Sequence, residues 1–295
     1  MPFPAAHPFG IVNDHRSLNP PAGACAKFST IEGEDNRAGA TTAGQRSMAA
    51  DSNQISRYPT ERVRLPVMLQ AWNRISFVHW SYDPQAIQQL LPPAVRIDEF
   101  DGRAWVSIMP FLLEDLTVPG IPPPPRISRS PETNVRTYVR GPDGRRGIWF
   151  FSLDIALLSA VVVGRAAFRL PYMWSKLSVG AVDGRMRYRG ERKWGGGSAS
   201  YDIEVLPTRA LEEAEVGLLD NFLTARWLLF TFFGKRPASV SAEHPPWPLW
   251  RAEPIRVEQS LLAAAGVPAP QGDPLVHFSP GVPARIGAPR VVGSR

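Results

Sequence analysis

Short runs of alternating apolar and polar residues, separated by turn-forming residues, make up most of the chain after residue 57. The run from Arg74 to Trp80 alternates in this way, and alternation at every second residue is typical of a half-buried β-strand. Turn signals at Asp101-Gly102 and at Gly141-Pro142-Asp143-Gly144 separate pairs of such runs, which predicts β-hairpins. The pattern therefore predicts a chain built mainly of strands.

A few segments have the spacing of helices instead. Pro84 can occupy the first turn of a short helix from Gln85 to Leu91, and residues 211–222 carry apolar side chains at helical spacing. Residues 155–168 form a long apolar run with Arg165 near its end. This run is too short to span a bilayer and predicts a buried core helix.

The fold class that follows is α+β and mainly β, with two or three helices inserted among many strands. A long antiparallel sheet of this kind curls and can close into a β-barrel, which removes its exposed edges. Residues 1–57 lack sustained apolar periodicity and are rich in small and polar residues, which predicts a disordered tail. We therefore expect one folded domain over residues 58–290 and a short C-terminal tail over residues 291–295.

Charge and hydropathy narrow the classes of partner. The formal net charge is +6, and the densest basic cluster runs from Arg185 to Lys193. Such a cluster can bind nucleic acid through phosphate contacts, or it can be a hairpin with solvated arginines. Since no nucleic-acid-binding motif accompanies it, we expect no nucleic-acid partner. No apolar run is long enough to cross a bilayer, so no membrane partner is expected.

Cysteine and histidine usage bears on redox compartment, metals and cofactors. The single cysteine, Cys25, can form neither an intramolecular disulfide nor a cysteine-based metal site, which is compatible with a cytoplasmic protein. His79, His244 and His277 have no metal-ligand spacing among them, so no metal site is predicted. The sequence also contains no glycine-rich phosphate loop, and no cofactor is expected.

The strand predicted from Glu132 to Val139 is the most informative segment. Because side chains alternate across a strand, one of its faces carries four polar or amphipathic side chains: Glu132, Asn134, Arg136 and Tyr138. If this face is turned into a cavity, Arg136 can bind a carboxylate through paired hydrogen bonds. If the face is turned to water, the segment is an ordinary half-buried strand. Both interpretations fit the pattern.

Two further residues are candidates for catalysis. His79 lies on an aromatic-rich strand, where a histidine can move protons near neutral pH or can be a hydrogen-bonded structural residue. Lys176 is surrounded by apolar residues. A desolvated lysine has a lowered pKa, and its neutral amine can form a Schiff base with a carbonyl. Lys176 can equally be a surface lysine whose stem covers apolar neighbours.

Several short motifs follow one another from about residue 65 to residue 290. They include Phe77-Val78-His79-Trp80, Asp101-Gly102-Arg103-Ala104-Trp105-Val106, Asn134-Val135-Arg136-Thr137-Tyr138-Val139, Phe150-Phe151-Ser152-Leu153-Asp154, Leu170-Pro171-Tyr172 and His277-Phe278-Ser279-Pro280-Gly281-Val282. Together they resemble the YqjF-like family of uncharacterised bacterial proteins, in the acetoacetate-decarboxylase-like superfamily. The resemblance implies an acetoacetate-decarboxylase-like fold, in which a barrel-like sheet surrounds a central cavity.

The wider superfamily also implies a chemistry. In acetoacetate decarboxylase, a lysine in a Gly-x-Pro-Lys-Lys segment forms a Schiff base with a β-keto acid, and a glutamate and arginines position the substrate. The resemblance gives Glu132 and the segment from Gly164 to Lys176 corresponding places in this chain. The sequence departs from that pattern because Pro171 is followed by Tyr172-Met173-Trp174-Ser175 rather than by paired lysines.

These patterns lead to two hypotheses. The first is an enzyme of lyase or hydratase type with a pocket for a small carbonyl or carboxylate metabolite. Its catalytic candidates are Glu132, Lys176 and His79, and its substrate-binding candidates are Asn134, Arg136, Tyr138, Arg165 and Tyr172. The second is a non-catalytic β-barrel that binds or senses a small ligand in the same pocket. A homo-oligomer is compatible with either hypothesis.

Overall fold

One continuous sheet of thirteen strands dominates the computed structural model, which describes residues 55–121, 129–195 and 197–293. The strands are β1 (Met68–Tyr82), β2 (Arg96–Ile97), β3 (Ala104–Thr117), β4 (Ser130–Arg140), β5 (Arg146–Ile155), β6 (Tyr172–Val182), β7 (Arg185–Trp194), β8 (Ser200–Ala210), β9 (Leu228–Phe233), β10 (Arg236–Glu243), β11 (Trp250–Gln259), β12 (Leu275–Ile286) and β13 (Arg290–Val291). The prediction of a mainly β fold with a curled sheet is confirmed.

The helices of the described residues are short and lie between strands. They are α1 (Pro84–Gln88), α2 (Leu158–Ala167), α3 (Leu218–Thr224) and α4 (Leu261–Ala264), with a 3-10 turn over Glu213–Glu215. Asp83 caps α1 by accepting hydrogen bonds from two backbone N–H groups, and Pro84 occupies its first turn as expected. Among the described residues, no helix combines the length and the apolar character needed to cross a membrane.

Two of the helix predictions need correction. The helix expected over residues 211–222 is replaced by the 3-10 turn and the shorter α3, because Gly217 interrupts the segment and begins the helix. Helix α2 is not a buried core helix: the side chains of Leu158 and Val162 are 49% and 60% exposed. Its other face packs against the sheet, so it is a surface helix with an unusually apolar outer side.

The sheet forks at two strands and so closes on itself twice. Strand β5 pairs with β4 along one edge, while its other edge pairs with β6 at one end and with β9 at the other. Strand β12 pairs with β1 on one side, and with β11 and β10 on the other. The first ring therefore runs β5–β6–β7–β8–β11–β12–β1–β3–β4, and the second runs β5–β9–β10–β12–β1–β3–β4.

The two rings share the wall β5–β4–β3–β1–β12, so strands in this wall are covered on both faces. In β4, Val135 belongs to an apolar core that also includes Ile108 of β3, Tyr188 of β7 and Ile203 of β8. This core fills the first ring. The residues next to Val135 along the strand point the other way, into the second ring.

The predicted N-terminal tail, residues 1–57, lies outside the described residues except for its last three positions. At the other end, Val291 belongs to β13 and pairs with Ala238 of β10. The boundaries of the folded domain at residues 58 and 290 stay predictions.

Candidate functional site

A cavity of about 280 Å³ lies within the second ring. Each strand of that ring contributes to its lining, as shown by Trp72 (β1), Met109 (β3), Asn134 (β4), Leu153 (β5), Leu229 (β9), Val240 (β10) and Ile286 (β12). Helix α2 closes part of the wall through Ala160, Val163 and Gly164. The lining is mostly apolar, with a small number of polar groups, which is typical of sites for small molecules.

Strand β4 supplies the main polar wall of this cavity. Glu132, Asn134 and Arg136 line it, and their exposed fractions are only 5%, 5% and 7%. The interpretation in which this face is solvated is therefore wrong. The flanking strands place apolar side chains beside the polar ones, with Phe111 of β3 and Ile155 of β5 in register with Glu132.

Glu132 forms a hydrogen bond with the side chain of Tyr172, which also lines the cavity. Burial and, to a smaller extent, the negative charge of Asp154 raise the pKa of Glu132 to about 8, against the opposing effect of the hydrogen bond with Tyr172. Burial and the proximity of Glu132 raise the pKa of Tyr172 well above its ordinary value. At neutral pH the pair is therefore mostly protonated, and Glu132 is a carboxylic acid that can donate a proton.

The negative charge near Glu132 is held by a buried ion pair. Arg192 of β7 binds both carboxylate oxygens of Asp154, with Nε–Oδ1 and Nη2–Oδ2 distances of 2.8 and 2.7 Å. Ser175 adds a hydrogen bond from its Oγ to Asp154 Oδ1 at 2.7 Å. Because these donors satisfy Asp154, it stays in the interior as a fixed charge beside the acid–base candidate.

Arg136 is a buried cation without a carboxylate partner among the described residues. Its Nη2 donates to the backbone oxygen of Leu223 at 3.0 Å, and its guanidinium lies 5.5 Å from the centre of the Tyr138 ring. Its Nε is buried and has no hydrogen-bond partner among the described residues. A buried charge in this condition is costly unless an anion accompanies it.

Arg226 is a second arginine in the cavity wall, and it was not among the predicted site residues. Its Nη1 lies 2.8 Å from Asp98 Oδ2 and its Nε donates to the backbone oxygen of Phe222, while its Nη2 is buried without a partner among the described residues. Burial lowers the pKa of Arg226 to about 10, against the opposing effect of Asp98, so it remains charged at neutral pH. The only sequence feature that could have indicated its role is that Arg226 directly precedes an apolar run.

Asn134 lies between Glu132 and Arg136 on the cavity face of β4. Its Oδ1 is buried and has no hydrogen-bond partner among the described residues. Together with Arg136 and Arg226, it gives this wall three side chains with unsatisfied hydrogen-bonding atoms. Buried polar groups are normally paired, so such a concentration at one cavity indicates a place where a ligand supplies the partners.

His244 and Trp247 also line the cavity, and neither was among the predicted site residues. They come from the proline-rich segment between β10 and β11, which carried no periodic signal. His244 Nδ1 lies 2.7 Å from the backbone oxygen of Pro245, and its ring lies 4.5 to 5.5 Å from three tryptophan rings: Trp72, Trp227 and Trp247. Burial lowers the pKa of His244 to about 4, so it is neutral at physiological pH.

Tyr138 and His79 lie behind the cavity wall rather than in it. The Tyr138 hydroxyl donates to the backbone oxygen of Leu223 at 2.8 Å and contacts Ser107 Oγ at 2.8 Å, and Ser107 Oγ lies 2.6 Å from His79 Nδ1. Burial, together with the positive potential of His277 and Arg136, lowers the pKa of His79 well below its usual value. His79 is thus a neutral, hydrogen-bonded residue behind Arg136.

The structure does not bring Lys176 to the cavity. Its side chain is exposed on β6, in register with Glu191 of β7, and is absent from the cavity lining. The neighbouring Ser175 points inward instead, because successive strand residues face opposite sides. The expectation of a desolvated lysine is therefore not met, and the alternative of a surface lysine fits its position.

Arg165 is likewise outside the cavity. Its Nε donates to the backbone oxygen of Tyr172 at 2.6 Å, its Nη2 donates to the backbone oxygen of Gly195 at 2.9 Å, and its guanidinium lies over the ring of Trp194. Its contacts fix the start of β6 next to Tyr172. Among the described residues, no group of three or more His, Cys, Asp or Glu side chains is placed to hold a metal ion.

Comparison with known proteins identifies the family. Residues 69–283 match the model of the DUF2071 family, described as an uncharacterized conserved protein. The chain belongs to this family. It is also 32% identical over 227 residues to the uncharacterized protein YqjF of Bacillus subtilis (strain 168), an alignment that covers 76% of this chain and 93% of YqjF.

Solved structures show that the fold of this DUF2071 member is similar to that of acetoacetate-decarboxylase-like proteins. Acetoacetate decarboxylase from Legionella pneumophila aligns with a TM-score of 0.56 at 16% identity, covering 81% of this chain and 90% of that chain. The enduracididine biosynthesis enzyme MppR, solved with pyruvate, aligns with a TM-score of 0.54 at 14% identity, covering 80% and 94%. The acetoacetate-decarboxylase-like fold expected from the sequence is confirmed.

Proposed function

We propose that the cavity binds a small carboxylate-bearing carbonyl compound and acts on it by acid–base chemistry, as a lyase or hydratase does. The observation that carries this proposal is the buried charge of Arg136, which has no carboxylate partner among the described residues, in the wall of a cavity that also contains a protonated Glu132. An anion is the ligand whose charge complements this wall.

Arg136 and Arg226 form the carboxylate end of the proposed site. Both guanidinium groups pack on the ring of Tyr138, with their centres 5.5 and 5.0 Å from its centroid. The charge of Arg226 is balanced by its ion pair with Asp98, so Arg136 gives the wall a net positive charge. Charge-assisted hydrogen bonds to a carboxylate contribute about 1.5–3 kcal/mol each, which is enough to orient a small acid.

Glu132 and Tyr172 form the acid–base end. A carboxyl group whose pKa lies near 8 is close to the ideal for proton transfer at neutral pH, because both of its protonation states are accessible. In the proposed first step, the ionised form of Glu132 takes a proton from the carbon next to the substrate carbonyl, and the Tyr172 hydroxyl donates a hydrogen bond to the oxygen on which charge develops. One C–H bond breaks, its electron pair forms the enolate, and the proton is held by Glu132, which returns it to carbon in the reverse step.

The proposal uses no Schiff base. Among the described residues, no lysine lines the cavity, and Lys176 lies on the outer side of β6. Support for a carbonyl acid as ligand comes instead from the similar structure of MppR, which was solved with pyruvate. In this chain the acid–base pair takes the place of amine chemistry.

Binding without turnover is the second candidate function. It is favoured by the positions of Lys176 and His79, two of the three predicted catalytic residues, neither of which lines the cavity. In this case Arg136 and Arg226 bind the carboxylate of the ligand, and no reaction follows.

Ligand titration tests the carboxylate site. Pyruvate and acetoacetate are titrated by calorimetry into the protein and into Arg136→Met, with Arg256→Met as the matched control because the Arg256 side chain is 45% exposed and does not line the cavity. We expect Arg136→Met to weaken binding by about ten- to a hundredfold, since one charge-assisted contact is lost, and Arg256→Met to bind normally. Equal affinity of Arg136→Met and the unsubstituted protein for both acids contradicts the proposal.

Deuterium incorporation separates the two candidate functions. The protein is incubated with a bound keto acid in D₂O, and loss of the proton signal next to the carbonyl is followed by NMR. Incorporation that Glu132→Gln abolishes, while the affinity stays within a few-fold, supports catalysis. Binding without incorporation supports the non-catalytic function.

A further inference from the structure

The carboxyl and guanidinium groups of the cavity lining lie on one side, whereas uncharged polar groups such as Gln70 of β1, Ser159 of α2 and Tyr172 of β6 come from other walls. Glu132, Asn134 and Arg136 come from β4 alone, and Arg226 follows helix α3 next to them. The walls supplied by the other strands and by α2 are largely apolar. Six of the apolar lining residues are Trp72, Phe111, Leu113, Leu157, Val163 and Phe168.

The two chemical ends of the site are also far apart along β4. A strand rises about 3.4 Å per residue, so the backbones of Glu132 and Arg136 are separated by roughly 13 Å. In agreement with this separation, no ion pair joins the two side chains in the described part of the chain. A molecule of the size of pyruvate engages one end of such a cavity and leaves the apolar remainder unfilled.

We infer that the ligand of this site is an elongated amphipathic carboxylic acid, with its carboxylate at Arg136 and Arg226 and an apolar body of about six to ten carbon atoms along the wall toward α2. The inference rests on the proposed function, because it takes the same arginines as the carboxylate site. It adds the substrate class: a medium-chain or arylalkyl acid, with or without an oxo group, rather than a short keto acid.

The apolar walls set the expected size of the effect. A cavity of about 280 Å³ is just below the range of roughly 300–1,000 Å³ for sites of drug-sized ligands. Each methylene group moved from water into an apolar site strengthens binding about fourfold. Affinity should therefore rise steeply with chain length and then stop rising when the cavity is full.

Straight-chain saturated acids from butanoate to dodecanoate test this inference. They are titrated below their micelle concentrations while tryptophan fluorescence is followed, since Trp72 and Trp247 line the cavity. We expect an increase of about fourfold per methylene up to an optimum between six and ten carbons, followed by a plateau or a fall. The primary alcohol of the optimal length should bind at least tenfold more weakly than the acid.

A variant that fills the cavity adds a second readout. Ala160→Leu adds three carbon atoms on the cavity face of α2, and we expect it to shorten the optimal acid by two to three carbons. Val162→Leu is the matched control, because Val162 lies on the same helix with 60% of its surface exposed. An optimum that Ala160→Leu leaves unchanged overturns the inference.

The outcomes for the inference and for the proposed function are distinct. If short and long acids bind equally and the binding still depends on Arg136, the inference is overturned and the carboxylate site stands. If alcohols bind as well as acids, or if no acid of any length binds, the proposed function fails together with the inference.

Discussion

Gly164 of helix α2 lies directly against the ring of Tyr172, so closely that even one methyl group at this position would overlap with the ring. Tyr172 in turn is hydrogen-bonded to Glu132. Because Gly164 has no side chain, helix α2 can pack directly against Tyr172 and so hold the acid–base pair in place. The requirement is one of space, since Gly164 lies in the helix itself and is not among the glycines with positive φ.

Replacing Gly164 should therefore act on Glu132. In Gly164→Ala we expect Tyr172 to move, at a cost of about 1–3 kcal/mol in stability, and the pKa of Glu132 to rise further because the hydrogen bond that lowers it is lost. Stability is measured by urea unfolding, and the Glu132 carboxyl is followed by infrared or NMR titration. Gly180→Ala is the control, since a β-carbon there meets open space. An unchanged titration of Glu132 in Gly164→Ala contradicts this role.

The raised pKa of Glu132 makes stability fall with increasing pH. Between its ordinary pKa of 4.5 and its folded value of about 8, the native state keeps a proton that the unfolded state has released, so stability declines as pH rises. The decline amounts to about 1–2 kcal/mol from pH 6.5 to pH 8, at roughly 1.4 kcal/mol per unit before the group titrates. We expect Glu132→Gln to remove this decline in urea unfolding measured across that range.

The exposed carboxyl of Glu258 provides the comparison for this measurement. Glu258→Gln should keep the slope of the unsubstituted protein, because the Glu258 side chain is 72% exposed. If Glu132→Gln and Glu258→Gln give the same pH dependence, Glu132 is ionised at neutral pH and cannot act as the acid.

His244 should act in the opposite direction at lower pH. Its folded pKa of about 4 lies below the ordinary value of 6.5, so the unfolded state takes up a proton first and stability falls as pH drops from 6.5 toward 4. We expect His244→Phe to reduce this loss of stability at acid pH without removing it. The pKa of His79 is lowered as well, so His79 contributes to the same pH dependence. Thermal unfolding between pH 4 and 6.5 measures the slope, and a loss of stability as steep as that of the unsubstituted protein would refute the assignment.

Asp98 holds Arg226 in the cavity wall, so its charge should be needed for stability. Both side chains of this ion pair are 1% exposed, with 2.8 Å between Arg226 Nη1 and Asp98 Oδ2. Removing one partner of such a pair leaves a buried charge, and we expect Asp98→Asn to cost about 3–5 kcal/mol in urea unfolding. Arg140 also contacts Asp98, but its side chain is 41% exposed, so Arg140→Met should cost less than 1 kcal/mol. Equal effects of the two substitutions would show that burial of the pair is not what matters.

Much of the cavity could be predicted from one strand. The alternation from Glu132 to Tyr138 identified the polar face of β4, because side-chain direction in a strand follows directly from sequence position. Whether that face met water or a cavity was set by strands distant in the chain, such as β9 and β10, and could not follow from the pattern. The confirmed family resemblance was needed to favour a cavity.

The residues that were missed and the residue that was misplaced have different causes. Arg226 and His244 reach the cavity from segments without periodicity, where only the tertiary fold decides which side chains meet. Lys176 was expected in the site because its neighbours in sequence are apolar. The residues directly next to Lys176 in a strand point to the opposite face, however. Their apolar or polar character therefore indicates the environment of that face, where Ser175 lies, and not the environment of Lys176.

The wall that the two rings share should affect both amide hydrogen exchange and the folding rate. Strand β4 is hydrogen-bonded on both edges and covered on both faces, so its amides should exchange with solvent only when the whole molecule unfolds. The second ring closes only when β10 reaches β12 and β9 reaches β5, which are pairings between segments far apart in the chain and favour slow folding. The protein thus builds the polar wall of its cavity from a strand that we expect to be among the last to open.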